Sequence, residues 1–250
     1  MKQTVLQVKN LVKSYNKAPV LKSISFEGYA GEILSFVGAN GVGKSTTIKC
    51  ISGIIPYEDG EIFINGKSMD EFPLDCKREV GYVADNQAVY EFMTGMQYLD
   101  FIAGVFKVDY ERKKAIIEHL SQAYGLTKYL NRKISTYSHG TQQKIAILAS
   151  LVHSPKLWIL DEPFTGLDVK MTREIKQSMQ EAKQLGSCVF FSSHNMDVVQ
   201  RISDRAIIII NGQIAETIDI AEFNASNRSL EDYYLFLEEK FANSVEEDNA

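Results

Sequence analysis

Apolar and polar side chains alternate over residues 4–12 and 20–27, which predicts two half-buried antiparallel strands. Glu32-Ile33-Leu34-Ser35-Phe36-Val37 reads instead as a buried strand, and residues 46–51 as the start of a helix. A further strand, residues 61–64, ends at the turn dipeptide Asn65-Gly66, and residues 80–83 predict another. From Met96 to about Val152 the period becomes helical. Met96, Leu99, Ile102, Ala103 and Phe106 share one face, and Glu111 to Tyr124 forms an amphipathic helix stopped by Gly125. The strand pattern then returns. Residues 157–160 form an apolar run that ends in two carboxylates. Asp168 to Leu185 reads as a helix stopped by Gly186, and 187–192 as a buried strand. Strands at 205–210 and 213–218 flank Asn211-Gly212, and a final helix spans Leu230 to Phe241. Strands alternating with helices predict an α/β fold around a mostly parallel sheet.

Candidate chemistry concentrates first at Gly38-Ala39-Asn40-Gly41-Val42-Gly43-Lys44-Ser45-Thr46, which fits the phosphate-cradling pattern G-x-x-x-x-G-K-[ST]. Its glycines let backbone N–H groups turn inward. Lys44 supplies a point charge for β- and γ-phosphates, and the Ser45 hydroxyl is a candidate Mg²⁺ ligand. The helix expected from about Gly43 directs its positive end at the same place.

The strand at 157–160 delivers Asp161 and Glu162 at its C-terminal end, the edge where open α/β sheets bind ligands. Asp161 suits Mg²⁺ and Glu162 the polarisation of an attacking water. The strand at 187–192 delivers His194 to the same edge, where it can sense a γ-phosphate. Tyr15 lies upstream of the phosphate-loop strand. Its ring can stack on a purine, although spacing alone favours a packed surface tyrosine.

Bulk properties narrow the setting. The 250 residues suffice for one large α/β domain, or for a core with a subdomain. A net charge of −5 gives no whole-protein attraction to nucleic acid, which is not an expected partner. Late acidic residues such as Glu246, Glu247 and Asp248 read as a solvated tail. Cys50, Cys76 and Cys188 are scattered and odd in number, which fits a reducing compartment rather than a disulfide framework or metal site. The first residues do not form a signal-peptide pattern, and the longest aliphatic run, 206–210, is too short to span a bilayer. A membrane function would require a second chain.

With these motifs placed, Tyr137-Ser138-His139-Gly140-Thr141-Gln142 becomes informative. It falls between the phosphate loop and the acidic strand. There the nucleotide-binding subunits of ATP-binding-cassette (ABC) transporters carry the signature Leu-Ser-Gly-Gly-Gln. Ser138 and Gly140 match, whereas Tyr137, His139 and Thr141 depart from it. The chain resembles that family along nearly its whole length, and its ending at 229–235 resembles the short C-terminal helix of bacterial ABC-2-type exporter ATPases.

The resemblance implies a P-loop NTPase fold. Its parts are a RecA-like core with an antiparallel β subdomain (approximately 1–90 and 153–220), a helical subdomain (91–152), and a C-terminal helix with acidic tail (221–250). It implies ATP and Mg²⁺ as ligands. Tyr15 would stack on adenine, and Gly38, Ala39, Asn40, Gly41, Val42, Gly43, Lys44, Ser45 and Thr46 would bind the phosphates. Ser45 and Asp161 would hold Mg²⁺. Glu162 would be the general base, assisted catalytically by Lys44 and His194. Ser138 and Gly140 would cap the γ-phosphate on a second subunit, and Asp168 would belong to the loop linking two such sites. The family usually places Gln after the strand ending at Val83. Here that position is Asp85, favoured as a further Mg²⁺ ligand, with Gln87 two residues later as the alternative. Partners would be a second ATPase subunit and an integral membrane permease on a separate chain, with this chain peripheral at the cytoplasmic face of the membrane. Export is the expected direction. A non-transport ABC ATPase in DNA repair, or a regulatory nucleotide-binding module, is the alternative.

Overall fold

A computed structural model describes residues 2–85 and 89–247. The chain begins with β1 (Thr4–Tyr15), β2 (Ala18–Tyr29), β3 (Glu32–Val37), α1 (Lys44–Ile51), β4 (Asp59–Ile64), β5 (Lys67–Ser68), α2 (Pro73–Arg78) and β6 (Val80–Val83). Three helices follow, α3 (Gly95–Val105), α4 (Tyr110–Ala123) and α5 (His139–Leu151). The chain returns with β7 (Leu157–Leu160), α6 (Val169–Gln184), β8 (Cys188–Ser193), α7 (Met196–Ile202), β9 (Arg205–Ile210) and β10 (Gln213–Asp219). It ends with α8 (Ile220–Ala225) and α9 (Leu230–Glu247).

Among the described residues the strands form two sheets. One is antiparallel, with order β2-β1-β4-β5. The other runs β10-β9-β3-β8-β7-β6 and is parallel except for the β9–β10 hairpin. The fold is therefore α/β with a mostly parallel core sheet, an antiparallel N-terminal sheet and an inserted block of helices. The core sheet is buried on both faces, which is why β3, β7 and β8 lack polar alternation. Successive residues of β3 feed opposite cores. Ile33 and Val37 pack with α5 and α6 residues such as Ile145 and Ile175. Leu34 and Phe36 pack with the antiparallel sheet and with Ile48 of α1.

The helices start where the local sequence can satisfy their free N–H groups. Thr94 and Gln97 form a capping box on α3, and Asp109, Ser138, Asp168 and Asn195 cap α4, α5, α6 and α7. The stretch expected to be helical from Met96 to Val152 is broken between α3 and α4 and again over 125–138, where Gly125 takes φ 63°. The terminal helix runs to Glu247 rather than stopping at Phe241. β1 continues to Tyr15 because Tyr15 pairs with Ala18 across a tight turn, which the polar residues 13–17 did not reveal.

Candidate active site

The phosphate loop leaves β3 at Gly38. A Cβ there would lie 2.5 Å from the Ile209 carbonyl oxygen, so only glycine fits beside β9. Gly43 caps α1 at φ 115°, and its Cα faces Leu21 of β2. The loop is thus held between the two sheets. Among the described residues, the backbone N–H groups from Asn40 to Thr46 have no protein acceptor, whereas that of Thr47 already bonds Gly43. Such a row of free donors at a helix N-terminus suits a polyphosphate.

Lys44 is buried and donates from Nζ to the carbonyls of Gly38 (2.8 Å) and Ala39 (3.1 Å). Its ammonium also lies 3.2 Å from Glu162 Oε1. That contact is an ion pair without a hydrogen bond, since Glu162 Oε1 has no hydrogen-bond partner and the ammonium protons serve the loop carbonyls.

The parallel register of β7 and β8 brings the acidic residues to the histidine. Leu160 pairs with Phe191, so Asp161 and Glu162 emerge beside Ser192 and His194. Asp161 is buried, and its Oδ1 accepts from Ser192 Oγ (2.7 Å) and Ser45 Oγ (3.1 Å). Burial pushes its carboxyl above the usual carboxylate range; the two hydroxyls oppose that shift, and the nearby Asp85 and Glu162 charges add to it. Glu162 departs from the strand at φ 47°, a left-handed conformation unusual for a residue with a side chain. Its N–H donates to Ser192 Oγ (2.8 Å), and its Oε2 lies 3.0 Å from His194 Nδ1.

Lys44, Ser45, Asp161, Glu162 and His194 therefore meet at one sheet edge. Asp85 joins Asp161, Glu162, His139 and Gln143 around a cavity of about 220 Å³. Gln87 lies outside the described residues. Ser45 and Asp161 offer hard oxygen donors, with Asp85 nearby. That set suits Mg²⁺, a hard cation that prefers oxygen donors; among the described residues no group of three or more His, Cys, Asp or Glu side chains gathers as a metal cage.

Other sequence-predicted residues stand apart. Tyr15 is half exposed, with Lys13 Nζ 5.5 Å from its ring centre. Ser138 is exposed at the N-terminus of α5 and bonds within the first turn, its Oγ 2.9 Å from Thr141 Oγ1. Gly140 has open space around it. Asp168 accepts from Met171 N at 2.7 Å as the cap of α6. None of the four shares a hydrogen bond with the phosphate loop. Two contributors were missed in the sequence. Ser192 falls within the buried strand expected at 187–192, where a serine at the polar end is the available signal. Tyr234 carries no local signal within the last helix, yet its hydroxyl accepts from Ala39 N at 3.1 Å.

The chain as a whole is similar to known proteins. Residues 21–165 fit the family profile described as ABC transporter. The ABC-type transporter ATP-binding protein EcsA of Bacillus subtilis (strain 168) is 32% identical over 94% of this chain and 96% of its own length. The chain belongs to the ABC transporter family. A solved structure titled as the ATP binding subunit of an ABC transporter superposes with a TM-score of 0.88 at 29% identity, covering 93% of this chain and 99% of the other. CbiO1 from Clostridium perfringens, titled as part of the ABC transporter complex cbiONQ, gives a TM-score of 0.78 at 26% identity, covering 94% and 96%. ABC ATP-binding domains bind ATP and are in general ATPases. The relatives' names point in both transport directions. The spermidine/putrescine import ATP-binding protein PotA of Clostridium novyi (strain NT) is 30% identical over 86% of this chain and 62% of its own length. The SkfA peptide export ATP-binding protein SkfE of Bacillus subtilis is 27% identical over 88% and 91%.

Proposed function

We propose that this chain hydrolyses ATP, with Mg²⁺, as the ATPase subunit of an exporter-type ABC transporter. The observation that carries the reading is Glu162, turned out of its strand and held between Lys44 and His194 beside a buried Asp161. Lys44 swings from the Gly38 and Ala39 carbonyls to the β- and γ-phosphates. Ser45 and Asp161, with Asp85 alongside, would hold Mg²⁺, which would supply neutralisation of phosphate charge. Glu162 takes a proton from the attacking water, and His194 orients its carboxylate. Tyr15 stacks on the adenine.

Ser138 and Gly140 serve the site of a second subunit packed head to tail, and Asp168 lies in the connection between the two sites. The assignment is supported by the exposure of Ser138 and Asp168, by the open space beside Gly140, and by their lack of hydrogen bonds to the phosphate loop of their own chain. The membrane-spanning partner is a separate chain, and this subunit sits at the cytoplasmic face. Among the described residues no helix is long and apolar enough to cross a membrane. The docking surface follows Asp85: the rings of Tyr90, Phe92 and Phe101 are exposed, with Tyr90 5.9 Å from Phe92 and 5.6 Å from Phe101. Export is supported by the likeness to SkfE.

Glu162→Gln keeps the shape of the side chain and removes the base. It is expected to lower the ATP turnover rate by at least about 100-fold while nucleotide binding persists. Turnover within about twofold of the parent would overturn the base assignment. A parent rate per chain that rises with protein concentration would support the two-subunit site, and a concentration-independent rate would count against it.

A further inference from the structure

The Gly38–Ala39 peptide is gripped at both ends. Its carbonyl accepts from Lys44 Nζ at 2.8 Å, and its N–H donates to Tyr234 Oη at 3.1 Å. Lys44 is in the loop itself, but Tyr234 comes from α9, 195 residues further along the chain. We propose that Tyr234 is a positioning residue for the phosphate loop, and that α9 thereby sets the nucleotide affinity of the site.

The two grips behave differently when a phosphate arrives. Lys44 must leave the loop carbonyls to meet the phosphates, and the bond to Tyr234 then remains to fix the peptide plane. Little else does so from that side. An open cavity of about 480 Å³ lies between loop residues Ala39–Val42, the turn at 210–213 and the face of α9 that carries Tyr234 and Glu238. The tyrosine hydroxyl spans this gap. Its proton is directed away from the loop, since Tyr234 Oη donates to Glu238 Oε1 at 3.2 Å, which leaves a lone pair for Ala39. A hydroxyl that donates to a carboxylate is also a stronger acceptor.

α9 is well placed to hold this strut still. Leu230, Tyr234 and Leu237 are buried along one face. Tyr233 Oη donates to Glu216 of β10 at 2.7 Å, and Leu230 N donates to Gln200 of α7 at 3.0 Å. The helix is thus fastened independently of the Tyr234 hydroxyl. A loop without its strut would have to be ordered as the nucleotide binds, and affinity would fall by the cost of that ordering.

The inference rests on the loop being the phosphate site, and its test separates the two ideas. Tyr234→Phe removes only the hydroxyl. Two readouts apply: Kd for ATP with Mg²⁺, and amide hydrogen exchange at Ala39 in the nucleotide-free chain. The variant is expected to bind ATP about threefold to tenfold more weakly. Exchange at Ala39 should quicken by a similar factor, about threefold to tenfold. Leu235→Ala, on the exposed side of the same helix, should change neither. Glu238→Ala retains the ring and its packing, so it keeps the idea testable if Tyr234→Phe folds poorly; a smaller shift in the same direction is expected. Unchanged exchange and affinity in a folded variant would overturn the proposal. Exchange needs no nucleotide, so it decides the role of Tyr234 even if the parent chain fails to bind ATP, a result that would overturn the proposed function instead.

Discussion

Ser192→Ala tests how the acidic edge is held in place. Ser192 is fully buried, and its hydroxyl serves two neighbours: it donates to Asp161 Oδ1 at 2.7 Å and accepts from Glu162 N at 2.8 Å. Alanine leaves the Glu162 N–H without that acceptor, at a cost of about 1–3 kcal/mol, and removes a charge-assisted bond worth about 1.5–3 kcal/mol. The two losses share one hydroxyl and do not add fully, so about 2–4 kcal/mol of stability should disappear. The loss should depend on pH. Burial disfavours the charged Asp161 carboxylate and raises its pKa in the fold. Ionisation of Asp161 therefore weakens the fold at neutral pH, and this penalty fades as pH falls toward the ordinary carboxylate range. Ser192 reduces the penalty, so the substitution should be more harmful at about pH 8 than at about pH 4, near the ordinary carboxylate pKa. Urea unfolding of parent and variant at both pH values measures the difference. A loss below about 0.5 kcal/mol at about pH 8, or the same loss at both pH values, would refute the reasoning.

Two further outcomes follow from contacts of the inserted helices. Lys144 of α5 pairs with Glu174 of α6 at 2.7 Å, both mostly buried. Lys144→Met should cost about 1–3 kcal/mol, between the values for surface and buried pairs, and Glu174→Gln added to it should recover part of the loss in thermal unfolding. His153 stacks on Phe106 at 3.7 Å, and burial pushes its pKa from 6.5 down to about 4. The folded state therefore takes up its proton later than the unfolded chain as the solution is acidified. Stability should fall by about 3 kcal/mol as pH drops from about 6.5 to about 4, and His153→Phe should flatten that slope in urea titrations.

Much of this molecule is legible from local pattern, and the remainder is missing for identifiable reasons. Long elements have enough periods to be read: α6 starts at the cap Asp168 and ends before Gly186, as the sequence predicts. α2, α7 and α8 have six or seven residues each, too few to establish a helical period. In the site, Lys44, Asp161, Glu162 and His194 are visible because each sits at the end of a strand or in a phosphate-binding pattern. Ser192 and Tyr234 act through neighbours distant in sequence, and strand pairing or helix docking must be known before their partners can be named. The conformation of Glu162 also escapes the sequence, since nothing in Asp161-Glu162-Pro163 announces a left-handed turn.

Strand parity explains why the site assembles at all. Along β7, Trp158 and Leu160 pack into the core shared with α5 and α6, while Leu157 and Ile159 pack toward α1. Side chains alternate with a period of two, so the next residue, Asp161, points to the α1 side. Along β8, Val189 and Phe191 face the first core and Phe190 the second, which sends Ser192 to the α1 side as well. α1 carries Ser45 on its first turn, and the three oxygens meet: Ser192 Oγ and Ser45 Oγ both on Asp161 Oδ1. Slipping β7 by one residue against β8 would send Asp161 into the opposite, apolar core. Glu162, on the wrong parity for the phosphate loop, reaches Lys44 only because its backbone leaves the strand at φ 47°. The unusual backbone and the Ser192 bond that holds it are thus the means by which two adjacent carboxylates serve the same face of one sheet.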